Sequence, residues 1–426
     1  MREDGAGGRR SPRAVASAVL ALTLAGCSTG LAPSGADSSL LASPSAAPSP
    51  GASGVSYTLP PPASPVSTTS PTDTPPPPLL GDPFTILGAP AQHITPGISC
   101  SGSIGAADPV AVVDLPTAGG DFQQVLRDYA DVSKPRTACA LGGSVVQLID
   151  ARHVVVDPLT DSGAYAVVDL PEVRYHWFAL PSGTNDFLAV SPGLDQIAWR
   201  RTGTKDAIHL TSRSGDVVVA SLPDSNEGRC GAPTDSNNAG YTRSGSALFV
   251  LDEPLPEISL IVVQGRQVVL SDVGTAKAEP ATRPLFALWS PISETLYFVQ
   301  NGSVWQWTPA LGLTIFLPGV AWDWASISPD GSHLAYAAPI SDPYGDHDTY
   351  LIDLARGGSP VKIGKGHAGQ PSFLNDRQLF YLPEGGPRGC TGPSPTPAIY
   401  DVATGTSAPS IIEDVRATWP ATGTHN

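Results

Sequence analysis

The densest cluster of chemically capable side chains is Asp342-Pro343-Tyr344-Gly345-Asp346-His347-Asp348. Three carboxylates around a glycine could hold Ca²⁺ through oxygen ligands. A plainer reading treats Asp342 and Asp346 as a solvated loop and Asp348 as the first residues of a strand, the place Asp206 takes in a similar stretch. Other carboxylates fall between apolar runs: Asp206, Asp224, Asp252 and Glu253 stand out with Asp342, Asp346 and Asp348. Residues 83–426 contain no Gly-x-Ser-x-Gly, so a fused α/β-hydrolase is not expected. His-Glu-x-x-His is missing and the eight His are dispersed, so no metal-hydrolase motif is present. No phosphate loop occurs, and no cofactor is expected.

Cysteine is the other reactive residue. There are five: Cys27, Cys100, Cys139, Cys230 and Cys390. None forms Cys-x-x-Cys, which weighs against zinc. Cys27 ends an apolar stretch and is treated below. The remaining four are an even number, as two disulfides need, and four cysteines allow three connectivities. Cys100 with Cys139, and Cys230 with Cys390, is the expected pairing. Free thiols or a metal site are the alternatives.

The elements that must position these groups come next. Net charge is -15, and only 15% of residues are charged. An acidic chain cannot neutralise a phosphate backbone, so nucleic acid is not an expected partner. Gly 44 and Pro 45 exclude coiled coils and long helical bundles. After about residue 83, β-branched and aromatic clusters alternate with turn residues. Residues 121–132 are the one stretch predicted to be a short helix.

The clearest unit is Trp324 to Ile327, Ser328-Pro329-Asp330-Gly331, His333 to Ala338, Asp348 to Asp353, and Pro360 to Ile363. Ser-Pro-Asp-Gly is hairpin chemistry: Pro fixes φ, Asp caps the turn and Gly takes positive φ. The unit is therefore four strands, A to D, in about 40 residues. It recurs from Phe187, near Thr242-Arg243-Ser244-Gly245, near Ser290-Pro291, over Val145–Ala179 and over Pro371–Ile412. Four-strand units at this period build a β-propeller. The fold class is thus all-β, a propeller of six or seven four-stranded blades. Val110–Leu115 and Val415–Trp419 are strands without a sheet of their own. Pairing them makes a seventh blade from both ends of the domain and leaves no open edge. Val110–Leu115 repeats the wording of Tyr165–Leu170 and is read as a strand C.

The wording Ser-Pro-Asp-Gly with Asp348-Thr349-Tyr350-Leu351-Ile352-Asp353 resembles the TolB-like, WD40-like propeller repeats of bacterial envelope proteins. At the other end, Arg2, Arg9, Arg10 and Arg13 precede an apolar run from Ala14 to Gly26, too short to span a bilayer and suited to a signal peptide. Leu24-Ala25-Gly26-Cys27 resembles the lipobox of bacterial lipoproteins. That resemblance implies cleavage before Cys27, acylation of its sulfur, and a place on the extracytoplasmic side of the cell membrane.

The expected domains are a lipoprotein signal peptide at 1–26, a lipidated cysteine with a disordered linker at 27–80, and a propeller at 83–426. Residues 28–80 include 31 Pro, Ser or Thr out of 53, too little apolar surface to offset the entropy of ordering.

Strand parity places the B–C loops and the connections from D to the next A on one face. That face receives the long loops and the carboxylates named above. It is expected to carry a negative potential suited to a protein or polar ligand. The expected function is a membrane-anchored, non-catalytic binding or scaffold module. The alternative is a propeller hydrolase or lyase acting on an extracellular glycan or lactone through channel carboxylates.

Overall fold

The computed structural model describes residues 82–423 except 91–93, 117–121, 143, 158–162, 182–184, 202–206, 222–238, 253–256, 276–284, 341–346, 365–369, 384–395 and 411–413. They form a seven-bladed β-propeller. Blade 1 is Ser144–Leu148, His153–Asp157, Ala164–Asp169 and Arg174–Ala179. Blade 2 is Asn185–Val190, Gln196–Arg201, Ala207–Ser212 and Gly215–Ser221. Blade 3 is Ala239–Tyr241, Ala247–Asp252, Glu257–Gln264 and Gln267–Thr275. Blade 4 is Leu285–Trp289, Leu296–Gln300, Ser303–Thr308 and Gly312–Leu317. Blade 5 is Trp324–Ile327, His333–Pro339, His347–Asp353 and Val361–Gly364. Blade 6 is Ser372–Phe373, Gln378–Tyr381, Ala398–Asp401 and Thr406–Pro409. Within each blade successive strands pair as antiparallel neighbours, in the order A-B-C-D.

Blade 7 is built from both ends of the domain. Asp414–Trp419 supplies strand A and pairs antiparallel with Val110–Pro116, from Val110↔Trp419 to Asp114↔Asp414. Phe122–Asp128 and Arg136–Ala140 follow outward, and Ser99–Cys100 adds a fifth, outermost strand. Two expectations change here. Val110–Pro116 is strand B rather than C, because strand A comes from the other end of the domain. The stretch predicted as a helix at 121–132 is strand C over Phe122–Asp128. Its Gln, Leu and Arg suit a helix, but both of its edges are hydrogen-bonded, to Val110–Pro116 and to Arg136–Ala140. Tertiary pairing outweighs that local preference. The one helix among the described residues is Asp82–Leu87. None of the described helices is long and apolar enough to cross a membrane.

Alternation along each strand explains the blade stacking. Val110 and Val112 pack towards blade 1 with Val154, Val156 and Val168. Their neighbours Ala111 and Val113 point the other way, to Leu374 and Phe380 of blade 6. Period-2 geometry imposes this division. Seven buried clusters fill the seven blade interfaces. Each fully buried Val or Phe contributes about 1.5–3 kcal/mol relative to exposure. Four of the eight tryptophans do this work: Trp199, Trp289, Trp307 and Trp322 are all buried between blades. Phe84 of the short helix enters the cluster between blades 1 and 2.

The A–B turns repeat one device. Ser191, Thr242, Ser290 and Ser328 are buried at the first turn position. The amide of each donates to a carbonyl five residues on: Gln196, Ala247, Thr295 and His333. The Ser328 hydroxyl also accepts from the His333 amide (2.9 Å) and donates to Asp330 (2.6 Å). Gly331 takes φ 69°, as the Ser-Pro-Asp-Gly turn requires. The recurring hydroxyl thus closes hairpins.

Cys100 and Cys139 are bonded to each other, joining the outermost strand of blade 7 to its strand D. This is the pairing expected for these two. Cys230 and Cys390 lie outside the described residues.

Candidate functional site

The A strands line the channel in parallel. They begin at the long-loop face and end at the A–B turns. Gln147 of blade 1 fixes one neighbour pair: its amide donates to the Val190 carbonyl (2.9 Å) and accepts from the Val190 amide (2.8 Å). At the turn end the chain leaves blade 7 after Trp419 and crosses the channel. Thr422 and Gly423 pair antiparallel with Ile327 and Ser326 of blade 5. The Thr422 hydroxyl donates to the Trp289 carbonyl at 2.5 Å, and Ala421 is buried with Phe373 and Leu379.

This arrangement encloses a channel cavity of about 360 Å³. Val145, Leu188, Leu288 and Phe249 give it apolar walls, and Tyr241, Arg243, Arg416, Thr418 and Trp419 supply polar groups. The described lining contains no Asp, Glu, His, Cys, Ser or Lys. A general acid or base of ordinary carboxylate or imidazole type is therefore not presented to it.

The two arginines differ. Arg416 donates from Nε (3.1 Å) and Nη2 (2.9 Å) to one oxygen of Asp114, so its charge is met within blade 7. Arg243 has no hydrogen bond or salt bridge among the described residues. Its guanidinium carbon lies 5.1 Å from the ring centroid of Trp419, within cation–π range. Desolvation lowers the Arg243 pKa, and the Asp376 charge opposes that shift. Asp376 itself is raised, first by burial and then by Asp330, whose amide it accepts at 2.9 Å. Tyr241 lies at the end of strand A of blade 3. Burial, reinforced by the Asp195 charge, pushes its phenol far above the usual range.

The candidates from sequence fall elsewhere. Cys27, Asp206, Asp224, Cys230, Glu253, Asp342, Asp346 and Cys390 lie outside the described residues. Asp252 ends strand B of blade 3, opposite Ser259. Asp348 is buried and accepts from Lys362 Nζ at 2.5 Å, which raises the lysine pKa. Its carboxylate serves a cross-strand ion pair within blade 5. The neighbouring His347 is hydrogen-bonded to Asp323. Among the described residues no group of three His, Cys, Asp or Glu has the geometry to hold a metal. One His–Asp dyad looks catalytic in isolation. Trp199 Nε1 donates to Thr211 (3.0 Å), Thr211 donates to Asp216 (2.7 Å), and Asp216 is 2.8 Å from His209 Nδ1. The His209 ring stacks on Trp199 at 4.0 Å. The network ties strands B, C and D of blade 2 together, and none of its members lines the cavity.

Sequence reasoning passed over Arg243, Trp419 and Tyr241. One signal was available: Arg243 stands where Pro192, Pro291 and Pro329 stand in the other A–B turns.

No protein-family model matches the chain, and no curated protein does. Several solved structures are similar in shape. One is a prolyl endopeptidase, 14% identical, TM-score 0.43, covering 73% of this chain; the chain spans about half (49%) of that protein. A second is a putative 6-phosphogluconolactonase from Bacteroides fragilis, 13% identical, TM-score 0.42, with 72% of this chain and 95% of that one covered. A third is TolB from Acinetobacter baumannii, 13% identical, TM-score 0.35, with 73% and 66% covered.

Proposed function

We propose that the chain is a lipid-anchored, extracytoplasmic propeller that binds a ligand in its channel and does not transform it. The observation that carries this reading is the cavity lining. It offers apolar walls, a phenol, an indole and the Arg243 guanidinium, which makes no hydrogen bond or salt bridge, but no carboxylate, imidazole or thiol among the described residues. A pocket of this size with a few convergent polar groups is the ordinary form of a small-molecule site. The anchor rests on the lipobox resemblance at Cys27, and the long loops remain the proposed contact for a protein partner. A thermal-shift screen of small polar and amphipathic molecules tests the channel reading. Compounds that raise the Tm of the wild type should leave the Leu188→Trp protein unmoved, because the indole fills the cavity. Equal shifts in both proteins contradict it. So does turnover of a lactone or glycoside by the wild type that is lost when a channel residue is changed.

A further inference from the structure

We propose that the channel cavity takes a carboxylate-bearing ligand with an apolar body, its carboxylate bound by Arg243 at the A–B turn end. This deepens the channel-binding reading and rests on it. Three observations lead there. First, charge: the protein carries -15 overall, yet the described cavity lining has two cations and no anion. Asp114 neutralises Arg416, whereas Arg243 feels the Asp376 charge without a salt bridge, so its donors are the ones left for a ligand. Second, presentation: the Arg243 guanidinium carbon lies 5.1 Å from the Trp419 ring centroid, and the group makes no hydrogen bond or salt bridge among the described residues, so its donors are uncommitted and suit contact with a carboxylate. Asp376, whose charge acts on Arg243, and its neighbour Asp330 lie on the A–B turns of blades 6 and 5. Neither is within salt-bridge distance of Arg243 among the described contacts, and Asp376 is engaged with the Asp330 amide.

Third, the wall beside Arg243 holds spare hydrogen-bonding capacity. Thr418 Oγ1, Trp419 Nε1 and Tyr241 Oη are shielded from solvent and have no partner among the described residues. Thr418 is only 8% exposed. Buried polar groups of this kind normally have partners. These atoms lie within the wall, so a ligand reaches them only when the side chains rotate towards it. Leu188, Leu288 and Phe249 favour an apolar body over a small inorganic anion.

Isothermal titration with 4-phenylbutyrate and its neutral counterpart 4-phenylbutanol tests the inference. The wild type should bind the carboxylate about tenfold more tightly than the alcohol, the worth of a charge-assisted contact. Arg243→Gln should erase that preference, so that the carboxylate and the alcohol bind with equal affinity, and a circular dichroism spectrum matching the wild type checks that the variant is folded. Equal affinity of the wild type for both probes overturns the inference, as does a preference that survives in Arg243→Gln. If the alcohol binds, Leu188→Trp blocks it and no preference exists, the carboxylate inference fails while the channel reading stands. If neither probe binds the wild type, the inference fails, and the thermal-shift screen decides the channel reading independently.

Discussion

The Cys100–Cys139 disulfide closes a sequence separation of 39 residues that contains strands B and C of the closing blade. Removing it with Cys100→Ser and Cys139→Ser frees the unfolded chain. For a loop of this length the chain-entropy relation gives about 4 kcal/mol at 25 °C. That is a large share of the roughly 5–15 kcal/mol by which folded domains are stable. Spread over the roughly 340 residues from 82 to 423, with an unfolding entropy of about 2.1 cal/mol/K per residue, it lowers Tm by about 5–6 °C. Urea unfolding followed by circular dichroism measures the loss directly. The double variant should unfold at lower urea with a similar slope. A reductant should destabilise the wild type by more than the variant. Unchanged midpoints would refute the reasoning, since they mean that the outer edge of blade 7 separates before the rest unfolds and the bridge restrains nothing that matters globally.

Other expectations follow from single sites. Ser328→Ala removes a fully buried hydroxyl that accepts from the His333 amide, and should cost about 1–3 kcal/mol in urea unfolding. Phe298→Ala opens the interface of blades 3 and 4 and should cost about 3–5 kcal/mol by the same assay. Asp376 has a raised pKa, from burial and then Asp330, so the folded state binds its proton more tightly than the unfolded state. Its contribution therefore worsens as pH rises past 3.8. Asp376→Asn should add stability at neutral pH, and the gain should vanish below pH 3.8; a gain that grows on acidification contradicts the assignment. Palmitate should label the wild type and not Cys27→Ser, and equal labelling removes the anchor from the account.

The blades were readable because the A–B turns carry their chemistry locally. Ser328-Pro329-Asp330-Gly331 specifies a hairpin from four residues, and its flanks alternate as half-buried strands do. Closure was readable from two strands with no sheet between them, Val110–Leu115 and Val415–Trp419. Strand C of blade 7 was not, because Phe122–Asp128 has helical preferences that only its two hydrogen-bonded neighbours override. The cavity was hidden for another reason. Long loops and carboxylates drew attention to one face, whereas Arg243 and Trp419 meet at the other. They are about 175 residues apart in sequence and come together only because blade 7 takes its inner strand from the far end of the domain. Asp348 shows the converse: a carboxylate in a promising cluster is used to hold Lys362.

Protection of a single reporter thiol locates the bound ligand. Leu188→Cys places a thiol in the channel wall, and Val218→Cys places one on the exposed outer strand of blade 2. A ligand that raises the Tm should slow maleimide labelling at position 188 in proportion to occupancy and leave position 218 untouched. Equal labelling rates at position 188 with and without that ligand would place binding outside the channel and contradict the account.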